Sequence, residues 1–243
     1  MSVELSPGET GLRARAEEVL RRIKLSAARS GRDPQEVTLV AVSKTHPAPL
    51  VLEAIAAGLR DFGENRVQEA DEKIGELGHE ATGMRWHLIG HLQANKARRA
   101  VRLFDLIHSV DSPALAERLE RICVEEGRET LGVLVQVDLA GEASKSGARL
   151  EELPALFETL KGCERVRCRG LMVLPPFFEE AERVRPYFRR LRSLRDELRG
   201  RGAFGDSAGE LSMGMSHDFE TAIEEGATIV RVGTAIFGER NRV

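Results

Sequence analysis

The chain has 243 residues, of which 42% are hydrophobic and 31% are charged, a balance typical of a folded globular protein. Its 36 basic and 39 acidic residues give a net charge of −3, which argues against a nucleic-acid-binding surface and an acidic disordered tail. The sequence shows neither a signal peptide nor an apolar run long enough to cross a bilayer, so we expect a cytoplasmic protein.

The first segment with a clear pattern is amphipathic and covers residues 9–29. Leu12, Val19 and Ile23 recur at helical spacing on one face, whereas arginines occupy the opposite face. This pattern predicts an N-terminal helix, and Gly31 supplies a plausible stop for it.

Eight short apolar runs follow, and segments with helical periodicity separate most of them. The segment after the fourth run is an example, because Ser112 is a favoured N-cap and Pro113 suits the first helical position. Strands that alternate with helices pair in parallel, since a parallel connection needs a crossover of that length. The predicted strands cover 37–43, 59–64, 85–90, 106–111, 132–139, 166–174, 210–215 and 228–237.

Eight such units in 243 residues predict an α/β protein with a single (β/α)8 TIM barrel. A doubly wound sheet is the alternative, but it rarely needs eight strands in so few residues. Because six residues follow Phe237, we expect no helix after the last strand, and we predict that the extra N-terminal helix fills this gap in the outer ring. No linker or composition shift divides the sequence, so residues 1–243 are predicted to form one domain.

Two predicted strand ends suggest a phosphate site, since the chemistry of such barrels lies at the carboxyl ends of the strands. Strand seven runs into the sequence SMGMS at 212–216, and strand eight runs into Gly233 and Thr234. Glycine lets an oxyanion approach the backbone, and the hydroxyls of Ser212 and Thr234 can donate hydrogen bonds. Gly214 or Gly233 alone favours a role in bending or packing, but both together on neighbouring strands favour a phosphate.

Two cations are predicted at the same end of the barrel. Arg231 alternates with two valines, so its side chain is predicted to point towards the barrel axis, where it serves a ligand or pairs with a residue such as Asp138. Lys44 ends strand one, in the sequence VAVSKTHP at 40–47, and strand one neighbours strand eight in a closed barrel. Burial and the nearby Arg231 would lower the pKa of Lys44 and favour the free amine, which attacks carbonyls. A solvated lysine at a strand end is the alternative.

An amine and a phosphate site at one barrel mouth indicate a ligand with a carbonyl group at one end and a phosphate at the other. Two sites fit this description: a Schiff-base aldolase site for a sugar phosphate, and a site for pyridoxal 5'-phosphate (PLP). Arg231 bears on the choice, because a cation beside the pyridine nitrogen of PLP would keep that nitrogen unprotonated. His87 and His91 indicate no metal site, since four residues of extended chain separate them by roughly 13 Å.

Seven segments of the sequence resemble the pyridoxal phosphate homeostasis protein family, also named the proline-synthetase co-transcribed family. The resemblance extends from about Val37 to Gly238 and is specific in the pair SMGMS and RVGTAIFG. It implies a barrel of the alanine-racemase N-terminal type without that enzyme's second, β-rich domain. The segments are VAVSKTHP, FGENRVQEA, RWHLIGHLQANK, SVDS, KSG, GLMVLPP and LSMGMSHDFETAIEEGATIVRVGTAIFG.

The resemblance implies that Lys44 holds PLP as a Schiff base and that Arg231 faces the pyridine nitrogen. Lys145 matches a secondary contact, whereas His46 stands where some members carry another lysine, so a hand-off of the cofactor through that amine does not carry over. The phosphate contacts of the family match Ser212, Gly233 and Thr234, and its pocket residues match Asn65 and Met213. With Gly214 from the strand-seven turn, the predicted cofactor contacts are Lys44, Asn65, Ser212, Met213, Gly214, Arg231, Gly233 and Thr234.

The resemblance also implies a PLP-binding protein of cofactor homeostasis that is not an enzyme, with PLP-dependent apo-enzymes as further partners. The alternative is a fold-type-III PLP enzyme such as an amino-acid racemase. Racemases of this type use a tyrosine of the second domain as the opposing base, and the one tyrosine here, Tyr187, is predicted in an outer helix. We expect a monomer that binds no nucleic acid, membrane or metal.

Overall fold

Eight parallel strands form a closed barrel in the computed structural model, which describes residues 11–141 and 146–239. Each strand pairs with the next, and β1 pairs with β8 to close the sheet. All eight predicted strands are present, so the predicted (β/α)8 TIM barrel is confirmed. The strands are β1 Thr38–Val42, β2 Asp61–Glu64, β3 Arg85–Leu88, β4 Leu106–Val110, β5 Leu131–Gln136, β6 Val166–Met172, β7 Glu210–Ser212 and β8 Ile229–Val232.

Helices surround the barrel and bury their apolar faces against it. The helix after β4 follows the local signals of its sequence, because Ser112 caps it by accepting a hydrogen bond from the Leu115 N–H and Pro113 takes the first position. None of the described helices is long and apolar enough to cross a membrane. The α-helices of the described residues are α1 Leu12–Arg29, α2 Ala48–Ala56, α3 Val67–Leu77, α4 Ala97–Leu103, α5 Pro113–Glu125, α6 Leu153–Lys161, α7 Arg185–Gly200, α8 Phe219–Glu224 and α9 Thr234–Phe237.

The N-terminal helix α1 completes the outer ring, as the sequence predicts. It packs between α2 on one side and α8 and α9 on the other, with Val19 and Ile23 buried. Arg22 donates two hydrogen bonds to the carboxylate of Glu220 in α8, at 2.8 and 2.7 Å. Beyond the helix, Arg32 donates to the carbonyl oxygens of two residues at the end of α8 and just after it. These contacts fix α1 against the barrel.

The last strand is shorter than the sequence predicts. β8 ends at Val232, and the rest of the predicted 228–237 strand forms α9, so the expectation of no helix after the last strand is wrong. The backbone leaves the extended conformation at Gly233, with φ −112° and ψ −79°, and Phe237 is then buried in the core. An apolar run has the same pattern whether a strand or one helical turn buries it, so periodicity alone does not locate this break.

The barrel interior combines an apolar cluster with a line of polar side chains. Val230 and Val232 of β8 pack in the outer core, between sheet and helices, whereas Arg231 between them is buried inside the barrel. This confirms the orientation predicted from the alternation along the strand. The inner apolar cluster consists of Val40, Leu106, Leu134, Met172 and Ile229.

Candidate functional site

A cavity of about 440 Å³ opens at the carboxyl ends of the strands, and β1, β5 and β8 contribute to its wall together with the segments that follow β2 and β3. This volume lies in the range of small-molecule sites. A larger groove of about 850 Å³ lies on the outer surface between α6 and α7, and none of the predicted cofactor contacts reaches it. Five of the eight predicted contacts line the smaller cavity: Lys44, Asn65, Arg231, Gly233 and Thr234.

Lys44 is the second residue beyond β1, and a buried charged cluster holds the backbone on both sides of it. The Ser43 hydroxyl donates to the Glu64 carboxylate at 2.7 Å, and the Lys73 ammonium donates to the Ser43 carbonyl at 2.7 Å. After Lys44, the Thr45 N–H donates to the Glu69 carboxylate. Thr45 has a φ of 66°, a left-handed conformation that costs free energy in a residue other than glycine. The cluster therefore holds a strained turn that sets the direction of the Lys44 side chain.

The charges of this cluster come from the neighbouring strand and helix. Glu64 ends β2, and Lys73 and Glu69 lie one turn apart on α3. Burial raises the pKa of Glu64, while the charge of Lys73 and the hydrogen bonds from Lys73 and Ser43 offset part of that rise. One oxygen of Glu64, Oε2, is buried without a hydrogen-bond partner. No sequence pattern predicted this cluster, although Glu64 lies in FGENRVQEA, a segment that carries the family resemblance.

Arg231 reaches the floor of the cavity from inside the barrel. Its guanidinium donates to the Ser212 hydroxyl at 2.5 Å and to the Val173 carbonyl at 2.9 Å. Burial lowers its pKa to about 10, with an opposing contribution from Asp218, so the group stays a cation at neutral pH. The alternative of an ion pair with Asp138 is wrong, because that carboxylate accepts hydrogen bonds from two backbone N–H groups of its own loop.

The strand-seven and strand-eight ends meet in the cavity wall at Ser216. Its hydroxyl oxygen accepts hydrogen bonds from the N–H groups of Gly233, at 3.2 Å, and Ala235, at 3.3 Å. The neighbouring Thr234 is exposed in the same wall. The two backbone N–H groups occupy the Ser216 oxygen, so the Ser216 hydroxyl hydrogen is left to donate beside that of Thr234, and hydroxyl donors of this kind bind phosphate oxygens.

Ser212, Met213 and Gly214 do not line the cavity. Ser212 is fully buried in the barrel interior, where its hydroxyl is engaged by Arg231, and Met213 packs in the outer core. A Cβ atom on Gly214, whose φ is 91°, would lie 2.5 Å from the Cβ of Ala222, so this glycine permits close packing. β7 ends at Ser212 and the chain then turns, which brings the second serine of SMGMS to the cavity. Sequence reasoning chose the first serine, because alternation does not show where the strand ends.

Asn65 lines the cavity just beyond the end of β2. The backbone of Asn65 passes so close to Gly90, beyond β3, that a Cβ atom on Gly90 would lie 2.3 Å from the Asn65 carbonyl oxygen. Only glycine allows this approach without a backbone shift. Gly90 itself contributes to the cavity wall, so the close contact shapes the site.

Four other residues singled out in the sequence have different outcomes. His46 lines the cavity, and its ring stacks on Phe237 with the centroids 5.0 Å apart. Lys145, predicted as a secondary contact, lies outside the described residues. His87 belongs to β3 and points into the barrel, whereas His91 lies beyond the strand near Asp111. Among residues 11–141 and 146–239, no group of three or more histidine, cysteine or acidic side chains could hold a metal ion.

A line of buried hydrogen bonds continues from Arg231 across the barrel, and sequence reasoning missed it. Ser212 contacts His108 of β4 at 2.8 Å, and His108 contacts His87 of β3 at 3.0 Å. His87 then contacts Asp61 of β2 at 2.9 Å. Each of these residues occupies an inward-facing position of its strand, which alternation along the strand can predict. Which inward side chains contact each other depends on strand register, and alternation does not give the register.

Comparison with known proteins relates the whole barrel to one family. The family model described as alanine racemase, N-terminal domain, matches residues 18–241. A pyridoxal phosphate homeostasis protein of Pseudomonas aeruginosa is 48% identical over 223 residues, 92% of this chain and 93% of that protein. The corresponding protein of Aquifex aeolicus is 44% identical over 226 residues, 93% of this chain and 97% of that protein.

A solved structure agrees with these relatives. PipY of Synechococcus elongatus, determined with PLP bound, is 46% identical and superposes with a TM-score of 0.78, covering 90% of this chain and all of PipY. Fold, sequence identity and the extent of the match therefore lead to the same result. The chain belongs to the pyridoxal phosphate homeostasis protein family, whose barrel is that of the alanine racemase N-terminal domain.

Proposed function

We propose that this chain is a cytoplasmic, monomeric PLP-binding protein that holds the cofactor on Lys44 for PLP-dependent apo-enzymes and does not turn over a substrate. The observation that carries the proposal is the meeting of Lys44, Arg231 and the Ser216 wall in one cavity. PLP has an aldehyde, a pyridine nitrogen and a phosphate, and these three groups match the chemistry of the three parts of the cavity. The PLP-bound structure of PipY supports the same assignment.

Lys44 provides the covalent attachment. Its neutral amine nitrogen bonds to the aldehyde carbon of PLP, and the aldehyde oxygen leaves as water. The buried cluster around Ser43 and Thr45 supports this role, because it fixes the backbone from which the amine extends. A fixed backbone reduces the conformational entropy that the lysine loses when it becomes attached.

The remaining donors orient the two polar ends of the cofactor. Arg231 directs its cation at the pyridine nitrogen of PLP, so this nitrogen stays unprotonated. An unprotonated pyridine ring withdraws fewer electrons from a carbon atom attached to the cofactor. The Ser216 and Thr234 hydroxyls supply neutral donors for the phosphate, and the N–H groups of Gly233 and Ala235 hold the Ser216 oxygen in place. This arrangement favours retention of PLP and weakens its use as an electron sink.

The absence of turnover rests on the same cavity and on the family. The relatives are named homeostasis proteins. The racemase alternative needs an opposing base, and Tyr187 lies on α7 against Phe178, with the ring centroids 6.0 Å apart. No tyrosine is among the described residues that line the cavity.

The visible absorption spectrum tests this function. We expect the purified protein to develop a Schiff-base band on addition of PLP, and Lys44→Ala to lose it while remaining folded. Lys24→Ala, a change of an exposed lysine on α1, is the matched control and should keep the band. An unchanged band in Lys44→Ala would refute the attachment site. Racemisation of alanine by the loaded wild-type protein at an ordinary enzymatic rate would refute the non-enzymatic role.

A further inference from the structure

The hydrogen bonds that continue from Arg231 form an unbroken chain from the cavity floor to β2. It consists of four contacts between buried or nearly buried side chains of five different strands. In order, they join Arg231 Nη1 to Ser212 Oγ, 2.5 Å; Ser212 Oγ to His108 Nδ1, 2.8 Å; His108 Nε2 to His87 Nδ1, 3.0 Å; and His87 Nε2 to Asp61 Oδ1, 2.9 Å.

The chemistry of the two ends fixes the direction of every bond between them. A guanidinium only donates, so the Ser212 oxygen accepts from Arg231, and its own proton goes to His108 Nδ1 when that nitrogen is unprotonated. A neutral His108 then carries its proton on Nε2 and donates it to His87 Nδ1. His87 in turn donates from Nε2 to the carboxylate of Asp61, which only accepts. In this arrangement, with neutral imidazoles, both rings are Nε2–H tautomers.

The surrounding charges agree with a neutral His108. Burial, reinforced by His87 and Arg231, holds the pKa of His108 well below its ordinary value. Burial alone would raise the pKa of Asp61, but the hydrogen bonds from His87 and Arg85 outweigh it, so this carboxyl is ionised. Burial raises the pKa of Glu210, which lies near His87. The titratable and charged groups that face the chain are Asp61, Arg85, Glu210, Asp218 and Arg231.

We propose that His108 and His87 are positioning residues that fix Arg231 at the cavity floor. A proton on His108 Nδ1 would point at the Ser212 oxygen, whose hydroxyl hydrogen would then lose its acceptor. The Ser212 oxygen would then accept from both His108 and Arg231, and donation to His108 would no longer fix its position, which leaves the bond to Val173 as the remaining fixed anchor of Arg231. The role of Arg231 towards the pyridine nitrogen rests on the proposed function, whereas the direction of the hydrogen bonds from Arg231 to Asp61 does not.

The direction of the hydrogen bonds from Arg231 to Asp61 is measured on the protein without PLP. Nitrogen-15 NMR of the histidine side chains should show His87 and His108 as Nε2–H tautomers at neutral pH. The signals are assigned by their loss in His87→Gln and His108→Gln, and His79→Gln, which changes an exposed histidine, serves as the matched control. An Nδ1–H tautomer or an imidazolium at His108 would overturn the proposal, whether or not PLP binds.

The effect on Arg231 is measured in the presence of PLP. It needs two variants that distinguish a change in the position of Arg231 from a general loss of protein stability. In His108→Phe, Ser212 has no acceptor, and we expect the Kd for PLP to rise about tenfold and the bound spectrum to shift. His108→Asn presents an amide oxygen near the Nδ1 position and should recover most of the wild-type Kd and spectrum. Equal losses of thermal stability in both variants, with a wild-type Kd and spectrum in folded His108→Phe, would overturn the positioning role. Failure of the wild type to bind PLP would instead refute the proposed function, and the tautomers would still decide the direction of the chain.

Discussion

Two ion pairs of similar geometry lie in opposite surroundings in this protein. On α1, Arg21 and Glu18 approach to 2.7 Å with side chains 59% and 50% exposed. Below Lys44, Lys73 and Glu64 approach to 2.5 Å with side chains 5% and 0% exposed. The first pair joins two residues of one helix, whereas the second joins α3 to β2 and also holds the chain before Lys44.

The difference indicates that the buried pair does more than stabilise the fold. An exposed pair gains little because water screens it, and a buried pair must first overcome the desolvation of both charges. Apolar side chains of similar volume often replace a buried pair at no cost in stability. Lys73 and Glu64 instead hold Ser43, and through it the backbone that carries Lys44. The buried hydrogen bonds from Arg231 to Asp61 likewise hold a residue of the cavity, Arg231, in position.

The largest expected effect comes from breaking the buried pair. Lys73→Met leaves Glu64 as an uncompensated buried charge, and we expect the free energy of unfolding to fall by about 3–5 kcal/mol. Urea unfolding followed by circular dichroism measures this loss. A loss no larger than that of an exposed lysine would contradict the role assigned to the cluster.

The double variant Lys73→Met with Glu64→Leu sharpens the comparison. Because it removes both buried charges, it should regain most of the stability lost in Lys73→Met. The Kd for PLP should nevertheless stay raised, by about tenfold, since the backbone around Ser43 has lost its donor and its acceptor. Recovery of both stability and affinity would mean that the cluster does not position Lys44.

An intermediate effect is expected from pH, through His108. The unfolded chain has the ordinary pKa of 6.5 at this histidine and the folded chain a much lower one, so below about pH 6.5 the unfolded state binds the extra proton. The free energy of unfolding should therefore fall as the pH falls, by up to about 1.4 kcal/mol per pH unit. Urea unfolding at several pH values measures the slope. It should decrease in His108→Phe and stay unchanged in His79→Phe, which alters an exposed histidine.

The smallest effect belongs to the exposed pair on α1. The hydrogen bond from Arg21 lowers the pKa of Glu18, but solvent surrounds both groups. We expect Glu18→Gln to change the midpoint of thermal unfolding by about 2 °C or less, with an unchanged Kd for PLP. A change as large as that of Lys73→Met would erase the distinction between the two pairs.

Local patterns predicted the features that depend on one segment of chain. Alternation along β8 gave the inward direction of Arg231, and the alternation of apolar runs with helical segments gave the eight-stranded barrel. The position of Lys44 at the end of β1 also follows from its own strand. In each case, the residues that decide the outcome are neighbours in sequence.

The features that the sequence did not reveal depend on contacts between distant segments. Lys73 reaches Ser43 only because α3 packs behind the end of β1, and His87 reaches His108 only because of the register between β3 and β4. Ser216 replaces Ser212 in the cavity wall because β7 ends earlier than predicted. Periodicity gives the face of a strand but not the depth of a residue along the barrel axis.

Borohydride reduction of the PLP-loaded protein, followed by peptide mapping, tests the central claim most directly. Reduction converts the C=N bond into a stable amine, so the label stays on the lysine that held the cofactor. We expect the pyridoxyl group on the peptide that contains Lys44, and its loss in Lys44→Ala. A label on another lysine of the wild-type protein, with Lys44 unmodified, would contradict the account.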